Sequence, residues 1–321
     1  MPKTILVTGG AGFVGSHLCD ALVARGDSVI CVDNFNDYYD PSIKEHNIHP
    51  LSARGNFRLC RTDITDAAAL KETFDEHKPD AVIHTAARAG VRPSIESPFL
   101  YTKTNIEGTV NILELSKKSN IRKFIFASSS SVYGLGKVPF REDSNTLDPI
   151  SPYAATKISG ELLCRAYHHL CHIPMVCLRL FTVYGPRGRP DMAPYKFMKS
   201  ILEGEDIQIY GDGTSQRDYT YVGDIVNGFI AAMDKNLTFE TINLGNSHPI
   251  PLKALIQTIE KHTGKKAKIR HLPNQPGDVP VTYADVSKAK RLLEWKPKTD
   301  LDAGVKQMVD WYTSREASKH L

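Results

Sequence analysis

A glycine-rich turn between a short apolar strand and a helix constrains the fold of this chain more than any other feature of its sequence. Residues 3–8 are typical of a buried parallel strand, and an amphipathic pattern continues after the turn to residue 24. Glycines at these spacings allow a tight turn, close approach of the backbone to a pyrophosphate and close packing of the helix, whose free N–H groups face the anion. The pattern predicts a dinucleotide site formed by Gly9, Gly12, Phe13, Val14 and Gly15.

Acidic residues that follow the next two predicted strands indicate which dinucleotide binds. The second strand ends in Asp33 and Asn34, about 20 residues past the glycines. A carboxylate at this position accepts hydrogen bonds from the adenosine ribose and repels a 2′-phosphate, which favours NAD over NADP. The third strand leads to Asp63 and Ile64, where an acceptor can reach the adenine amino group. We therefore predict NAD as the cofactor, while the segment 34–56, a loop with a short helix, has no evident role.

Strands and helices continue to alternate as far as residue 180, which indicates a doubly wound parallel sheet. Small residues after the fourth strand, Ala86 and Ala87, let the chain pass close to the cofactor, and Arg92 brings positive charge to the same sheet edge. The predicted strands and long helices of this part are 80–84, 105–119, 122–127, 152–171 and 175–180.

The pattern of predicted strands, helices and loops changes after residue 181. Elements become shorter and loops rich in glycine and proline multiply, which indicates a second, smaller unit. The segment 224–245 has the pattern of a helix and a strand that return to the large sheet. We therefore expect an α/β protein with a Rossmann-like doubly wound domain at 1–181, joined by 224–245, and a smaller mixed α/β substrate-binding domain at 182–321.

Composition and charge exclude several classes of protein. The net charge of the 321-residue chain is +4 and its basic residues are scattered, so we expect no nucleic-acid partner. The first apolar run, residues 5–7, is far too short for a signal sequence or a membrane span, and we expect a cytoplasmic protein without a membrane partner. The six cysteines form no C-x-x-C pair and are expected to be free thiols. No histidine pair has other ligands at metal spacing, so we expect no metal.

The helix predicted at 152–171 places Tyr153 and Lys157 one turn apart on the same face. A phenol with a pKa near ~10 must lose about 3 units to act as a base at pH 7, or roughly 4 kcal/mol, and a neighbouring ammonium can supply that stabilisation. Four serines at 128–131 follow the fifth strand, at the sheet edge where such folds bind their ligands. Ahead of a Tyr-x-x-x-Lys helix, we interpret these hydroxyls as donors to a reacting oxygen.

Together these motifs resemble the extended short-chain dehydrogenase/reductase family, and within it the nucleotide-sugar epimerases. The glycine turn, the acidic strand ends, the serine cluster, Tyr-x-x-x-Lys and the Arg-Asp-Tyr at 217–219 occur in order over nearly the whole chain. The resemblance implies a tightly held NAD, a UDP-sugar bound between the domains, and catalysis by Tyr153, Lys157 and the serine at position 129, Ser129.

The resemblance also implies a mechanism and a set of contacts. Tyr153, as phenolate, takes the O4 proton while hydride leaves C4, and the 4-keto sugar then turns and receives the hydride on its other face. Lys157 and the positive nicotinamide are expected to lower the Tyr153 pKa, and Ser129 to hydrogen-bond O4. The expected cofactor contacts beyond the glycine turn are Asp33, Asn34, Asp63, Ile64, Ala86, Ala87, Arg92, Asn105, Tyr153 and Lys157. The expected substrate contacts are Arg92, Ser129, Ser130, Thr182, Arg189, Met192, Gln208, Tyr210, Arg217, Gln275 and Asp278.

Branches of the family differ at a few positions. Dehydratases carry an Asp-Glu pair before Val-Tyr-Gly and decarboxylases usually carry Glu at the position of Ser131, whereas both positions are serine here. The segments 89–92 and 275–278, together with Thr182, look like those of UDP-glucuronate 4-epimerases, which convert UDP-glucuronate to UDP-galacturonate. A UDP-glucose or UDP-N-acetylglucosamine 4-epimerase is the alternative, and a UDP-glucuronate decarboxylase is a weaker one. A non-catalytic NAD-binding regulator would lack the Tyr, Lys and Ser set.

A uronate substrate and a dimer are two further expectations. The hydroxyls of Ser129, Ser130 and Thr182 can hold a C6 carboxylate and keep its bond to C5 out of alignment with the 4-keto group, which would protect the β-keto acid from losing CO2. The helices at 105–119 and 152–171 carry more apolar surface than one sheet face requires. The matching pair forms a homodimer in the family, so we predict a homodimer.

Overall fold

The computed structural model describes residues 2–144, 146–273 and 279–318. Its strands are β1 Thr4–Thr8, β2 Ser28–Val32, β3 Phe57–Cys60, β4 Ala81–His84, β5 Lys123–Ser129, β6 Met175–Leu180, β7 Thr182–Tyr184, β8 Asp206–Tyr210, β9 Gln216–Tyr221, β10 Phe239–Leu244, β11 Pro249–Pro251, β12 Lys268–Leu272 and β13 Val281–Thr282. Its α-helices are α1 Phe13–Ala24, α2 Pro41–Ile48, α3 Ala67–His77, α4 Val91–Glu96, α5 Pro98–Thr102, α6 Gly108–Lys118, α7 Pro152–Cys171, α8 Ala193–Glu203, α9 Val222–Asp234, α10 Leu252–Thr263, α11 Ser287–Leu293 and α12 Leu301–Ser318.

Seven parallel strands form the large sheet, in the order β10-β6-β5-β4-β1-β2-β3. The register around β1 sets Leu6 opposite Ile30 of β2 and Val82 of β4. The chain first adds strands on one side of β1 and then, from β4 onward, on the other, so the strand order reverses between β1 and β4. In such sheets a crevice opens at the carboxyl ends of the strands at this switch point. The predicted doubly wound parallel sheet is therefore confirmed.

Both faces of the large sheet are buried by helices. Ile5 and Val7 of β1 belong to a core cluster with α1 and α9, whereas Leu6 belongs to the cluster with α3, α6 and α7 on the opposite face. All three side chains have no exposed area. Because successive side chains of a strand point to opposite faces, a sheet covered on both sides needs continuous apolar strands, which explains the apolar run that begins the chain.

The remaining elements build a second layered unit with its own core. Strands β7, β9, β11 and β13 form one small sheet, and β8 and β12 form a parallel pair. Helices α8, α10 and α12 cover these strands through side chains such as Met198, Leu255 and Met308, all fully buried. This mixed α/β arrangement fits the smaller unit expected from the sequence.

Two segments from the later part of the chain pack on the large sheet. Strand β10 pairs with β6 in parallel, as expected for the returning segment 224–245. Ala289, Leu293 and Trp295, on and just after α11, also join the core cluster of α1 and α9. The sequence analysis assigned this second segment to the smaller domain and did not predict its return to the large sheet. The division of the chain at residue 181 stays a prediction.

The helical stretch before β5 begins earlier than the predicted range 105–119. Pro98 starts α5, where its missing N–H costs no hydrogen bond, and α6 follows after a wide π-type turn at Lys103–Glu107. Helix α4 was not predicted. No helix in the described ranges is long and apolar enough to cross a membrane, and all six cysteines are free thiols.

Candidate active site

A cleft of about 380 Å³ lies at the switch point of the large sheet, within the usual size range of ligand pockets. It is lined by the glycine turn, the ends of β2, β4 and β5, the start of α7, and residues 180–183, 189, 191 and 192. Among the predicted site residues, those that line it are Gly9, Gly12, Phe13, Val14, Gly15, Asp33, Asn34, Ile64, Ala86, Ala87, Ser129, Ser130, Tyr153, Lys157, Thr182, Arg189 and Met192.

The glycine turn forms a backbone cradle that side chains would fill. Gly9 adopts φ +67°, and a β-carbon there would lie 2.8 Å from the backbone of Ala86. A β-carbon at Gly15 would lie 2.1 Å from the carbonyl oxygen of Gly9. The turn is closed by a 2.7 Å hydrogen bond from the Gly9 N–H to the Val32 carbonyl. This cradle at the start of α1 fits the pyrophosphate of a dinucleotide.

A buried charge pair lies at the end of β2. The sequence predicts one member of the pair, Asp33, as a site residue, and does not predict the other, Lys44. Asp33 accepts hydrogen bonds from the backbone N–H groups of Ala11 (3.2 Å) and Phe35 (2.9 Å) and pairs with the Lys44 ammonium at 3.2 Å. Lys44 comes from α2, whose start was marked by the Asp40 cap and Pro41 at the first turn. The sequence therefore contained a signal for helix α2, but no signal that Lys44 of this helix pairs with Asp33.

Helix α7 positions the tyrosine and the lysine of the predicted motif. Ser151 caps the helix by accepting from the Ala154 N–H at 3.1 Å, so Tyr153 lies in its first turn. Burial raises the pKa of Tyr153, while a hydrogen bond with the Ser129 hydroxyl and the charge of Arg189 lower it. Ser129 and Tyr153 thus line the same cleft, and the serine hydroxyl acts on the pKa of the phenol.

Lys157 is held in place by the end of β5, and its lowering of the Tyr153 pKa stays a prediction. Its ammonium donates to the Ala127 carbonyl at 2.7 Å and lies 5.0 Å from the centre of the Phe126 ring. Burial lowers the Lys157 pKa to about 8, and the Glu161 carboxylate partly opposes that shift. The charge of Arg189, which is distant from Tyr153 in sequence, lowers the pKa of the phenol, and the spacing of residues along one helix gives no signal for that effect.

A buried ion pair between Glu161 and Arg179 contacts the serine cluster through Ser128. Glu161, two turns after Tyr153 on α7, accepts from the Ser128 hydroxyl at 2.5 Å and from Arg179 of β6 at 2.7 and 2.8 Å. The Ser129 hydroxyl accepts from the Ser131 N–H at 3.1 Å. Sequence reasoning missed Glu161 and Arg179, although Glu161 continues the spacing of four residues from Tyr153 and Lys157.

A second group in the cleft combines Arg189, a predicted substrate contact, with Tyr38 and Asp191, which the sequence did not predict. Arg189 is held by Asp191 through two hydrogen bonds of 2.5 and 3.0 Å. Its guanidinium lies 5.5 Å from the ring centre of Tyr38, whose hydroxyl donates to the Ala89 carbonyl at 2.7 Å. Tyr38 and Asp191 line the cleft with Arg189, so the segment after β2 and the segment before α8 meet across it.

Several predicted contact residues lie outside the lining of this cleft. Asp63 accepts a hydrogen bond from the lining residue Asn34 at 2.6 Å. Asn105 is buried and binds the backbone of Arg88 at 2.8 and 2.9 Å and the Thr156 hydroxyl at 3.0 Å. Asn105 therefore contacts the cleft wall through the residues that it holds in place.

The remaining predicted substrate contacts among the described residues also lie outside the lining of the cleft. The Arg92 guanidinium lies 4.3 Å from the ring centre of Tyr210, which connects α4 with β8. Gln208 is exposed on β8, and Arg217 donates to the backbone carbonyl of its neighbour Gln216 at 2.9 Å. These residues stay predictions as substrate contacts. Two further predicted contacts, Gln275 and Asp278, lie outside the described residues.

Comparison with known proteins gives matches over nearly the whole chain. A family model described as GDP-mannose 4,6 dehydratase matches residues 6–308. A UDP-glucuronate 4-epimerase of Thermodesulfobacterium geofontis is 47% identical over 307 residues, which cover 95% of this chain and 95% of that protein. UDP-glucuronate 4-epimerase 4 of Arabidopsis thaliana is 46% identical over 331 residues, which cover 97% of this chain and 75% of that protein.

Solved structures match the fold equally well. The UDP-glucuronic acid 4-epimerase from Bacillus cereus, in complex with UDP-glucuronic acid and NAD, superposes with a TM-score of 0.92 at 41% identity, over 97% of this chain and 99% of that chain. A UDP-glucose 4-epimerase from Thermotoga maritima, with UDP-glucose, gives a TM-score of 0.89 at 34% identity, over 98% and 99% of the two chains.

Proposed function

The chain belongs to the GDP-mannose 4,6 dehydratase family of extended short-chain dehydrogenases/reductases, and from that premise we propose that it is an NAD-dependent UDP-glucuronate 4-epimerase. The observation that carries this proposal is that Ser129, Tyr153 and Lys157 line the same cleft as the glycine turn. One end of the cleft suits a dinucleotide and the other presents an acid–base group. The reaction is an isomerisation of UDP-glucuronate to UDP-galacturonate without net redox change.

The residues of the chain have distinct roles in this proposal. NAD, when bound, would supply reversible hydride chemistry at C4, so that the hydride can return to the opposite face of the sugar. The backbone N–H groups after Gly12 hold its pyrophosphate, and Asp33 accepts from its adenosine ribose. Tyr153 takes the O4 proton and later returns it, while Ser129 hydrogen-bonds both the phenol oxygen and O4. Lys157, fixed by the Ala127 carbonyl, holds the nicotinamide ribose.

A uronate fits the polar groups at the sugar end of the cleft. Ser129, Ser130 and Thr182 line it together and offer short, oriented hydroxyl donors to a C6 carboxylate. Such donors hold the carboxylate out of alignment with the 4-keto group and so keep CO2 on the sugar. Two relatives named UDP-glucuronate 4-epimerases are 46–47% identical to this chain, against 34% for the UDP-glucose 4-epimerase compared above. Both comparisons favour the uronate.

The test is to incubate the purified protein separately with UDP-glucuronate, UDP-glucose and UDP-N-acetylglucosamine, without added cofactor, and to follow the products by NMR. We expect UDP-galacturonate from the first substrate and little turnover of the other two. Equal turnover of UDP-glucose would defeat the assignment of the uronate. Release of CO2 with a UDP-pentose would instead identify a decarboxylase.

The proposal includes a homodimer. The large exposed apolar side chains of the 91–171 stretch include Phe99 and Leu100 on α5 and Leu162 and Leu170 on α7, and Phe99 is 89% exposed. Helix α6, by contrast, buries Ile112, Leu113 and Leu115 in the core cluster on one face of the sheet. A second copy of the chain packed on α5 and α7 would cover this face, and the pairing through 105–119 and 152–171 stays a prediction. We also propose the cytoplasm as the site of action.

A further inference from the structure

The charge pair at the end of β2 lies where the ribose of a dinucleotide would bind. The carboxylate of Asp33 is 4% exposed and the ammonium side chain of Lys44 is 6% exposed, at a separation of 3.2 Å. Both residues line the cleft that begins at the glycine turn. The side chain of Asn47, one turn after Lys44 on α2, donates to the Ala11 carbonyl of that turn at 3.1 Å. Helix α2 therefore holds a buried cation against the adenosine end of the site.

Lys44 has hydrogen-bonding capacity beyond this pair. An ammonium carries three N–H donors, and Asp33 accepts one of them. The nearest ring, Tyr39, lies 5.4 Å from the ammonium and offers its face. A buried ammonium that lines a ligand cleft and has donors beyond its one carboxylate partner is suited to an anionic oxygen.

One other cation lies near this end of the cleft. Arg61, just after β3, contacts the Phe35 ring at 4.2 Å and pairs with Glu45 at 2.7 Å. Its side chain is 55% exposed, and Arg61 is not among the residues that line the cleft. Solvent screens such an exposed charge, so it contributes less to binding than a buried one.

We propose that Lys44 is a latent binding group for a 2′-phosphate whose positive charge is paired with Asp33, so that Lys44 determines how far loss of the Asp33 carboxylate shifts the preference from NAD to NADP. The inference rests on the proposed NAD site, because it assigns the adenosine ribose to the end of β2. In wild type, a 2′-phosphate would lie beside the Asp33 carboxylate, and the Lys44 ammonium that could attract the phosphate is already paired with that carboxylate. Without that carboxylate, the buried ammonium lacks a counter-charge, which the 2′-phosphate would supply.

Asp33→Asn tests this idea with little change in shape. The amide oxygen can still accept from the backbone N–H groups of Ala11 or Phe35, while the negative charge is lost. Four purified proteins are compared: wild type, Asp33→Asn, Lys44→Met and the double variant. Each is incubated with NAD and NADP at equal concentrations, both in excess over the protein, so that the bound dinucleotide can exchange. The protein is then desalted and extracted with acid. Chromatography of the extract then gives the ratio of bound NADP to bound NAD for each protein, independently of turnover.

We expect wild type to retain NAD, and Asp33→Asn to raise the NADP to NAD ratio by about 100-fold. Adding Lys44→Met should remove at least about tenfold of that gain, whereas adding Arg61→Ala as the matched control should leave most of it. Lys44→Met alone should lower the ratio below that of wild type, because the unpaired Asp33 repels the phosphate more strongly. This single variant tests the proposal even where Asp33→Asn folds poorly, and thermal unfolding reports on folding in each case.

The outcomes separate this inference from the proposed function. A wild type that binds neither dinucleotide contradicts the NAD site itself. If wild type binds NAD, two results overturn the role of Lys44 and leave the NAD site standing. One is that the rise in the NADP to NAD ratio in Asp33→Asn persists when Lys44→Met is added. The other is that this rise disappears when Arg61→Ala is added. An unchanged ratio in both single variants overturns that role as well.

Discussion

The protonation state of Tyr153 is set by a balance between burial and two neighbours. Burial favours the neutral phenol and raises its pKa, whereas the Ser129 hydroxyl and the Arg189 guanidinium stabilise the phenolate and lower that pKa. Arg189 is itself held by Asp191, so its position depends on a neighbouring carboxylate. The base of the proposed reaction therefore relies on a residue from each of two distant segments, 128–131 and 187–191.

Removing either neighbour should move the pH dependence of the reaction upward. The rate rises with pH as the phenol loses its proton, and a variant that stabilises the phenolate less has a higher Tyr153 pKa. We expect the acidic limb of the kcat/KM profile to shift to higher pH in Ser129→Ala and in Arg189→Gln. Arg187→Gln is the matched control, because Arg187 pairs with Asp20 and does not contribute to the Tyr153 pKa. Limbs that coincide with wild type in both variants would refute this balance.

At the scale of elements, α7, β5 and β6 are joined behind the site by the buried pair of Glu161 and Arg179. Their side chains are 9% and 5% exposed, and Glu161 also accepts from Ser128 at the end of β5. The guanidinium of Arg179 lies 4.8 Å from the Tyr133 ring centre. This arrangement fixes the serine cluster relative to Tyr153 and supplies negative charge near Lys157.

Breaking this pair from one side should be costly. Glu161→Gln leaves the buried Arg179 charge uncompensated, and we expect the free energy of unfolding to fall by about 3–5 kcal/mol. Replacing both residues, as Glu161→Leu with Arg179→Met, should recover much of that loss. Urea denaturation of the three proteins measures both effects. A single variant within about 0.5 kcal/mol of wild type would show that the pair carries no such role.

The glycine turn between β1 and α1 offers a second test at this scale. Gly15→Ala forces a β-carbon to within 2.1 Å of the Gly9 carbonyl oxygen, so the turn or α1 must move. We expect bound NAD to be lost and the melting temperature to fall. Gly55→Ala is the control, because no atom lies within 4 Å of the β-carbon that it adds. Quantifying the NAD extracted from each purified protein decides the matter, and full retention in Gly15→Ala would contradict the cradle.

The parts of the site that the sequence predicted are those encoded over short distances. The glycine turn, the end of β2, and Tyr153 with Lys157 each follow from the spacing of a few neighbouring residues. Lys44 reaches Asp33 only because α2 folds back over β2, and Arg189 reaches Tyr153 only through the topology of two units. Such contacts depend on long-range packing, for which the spacing of residues along one element gives no signal.

At the scale of the whole molecule, the apolar face on α5 and α7 predicts association. Phe99→Glu combined with Leu170→Glu places charges on two side chains that are 89% and 70% exposed, so neither change disturbs the core. We expect multi-angle light scattering to give a dimer for wild type and a monomer for this double variant. As a control, Leu135→Glu changes an exposed leucine on a different segment and should leave the dimer intact. A monomeric wild type would rule out the dimer.

The central claim is that hydride leaves and returns to C4 of one sugar within a single active site, with Tyr153 moving the proton. The most direct measurement uses UDP-glucuronate deuterated at C4, incubated with the purified protein without added cofactor and followed by NMR. The account predicts UDP-galacturonate that keeps its deuterium at C4, and no product from Tyr153→Phe that still binds NAD. Loss of the label to solvent would contradict transient oxidation at C4, and a Tyr153→Phe variant as active as wild type would contradict the assigned base.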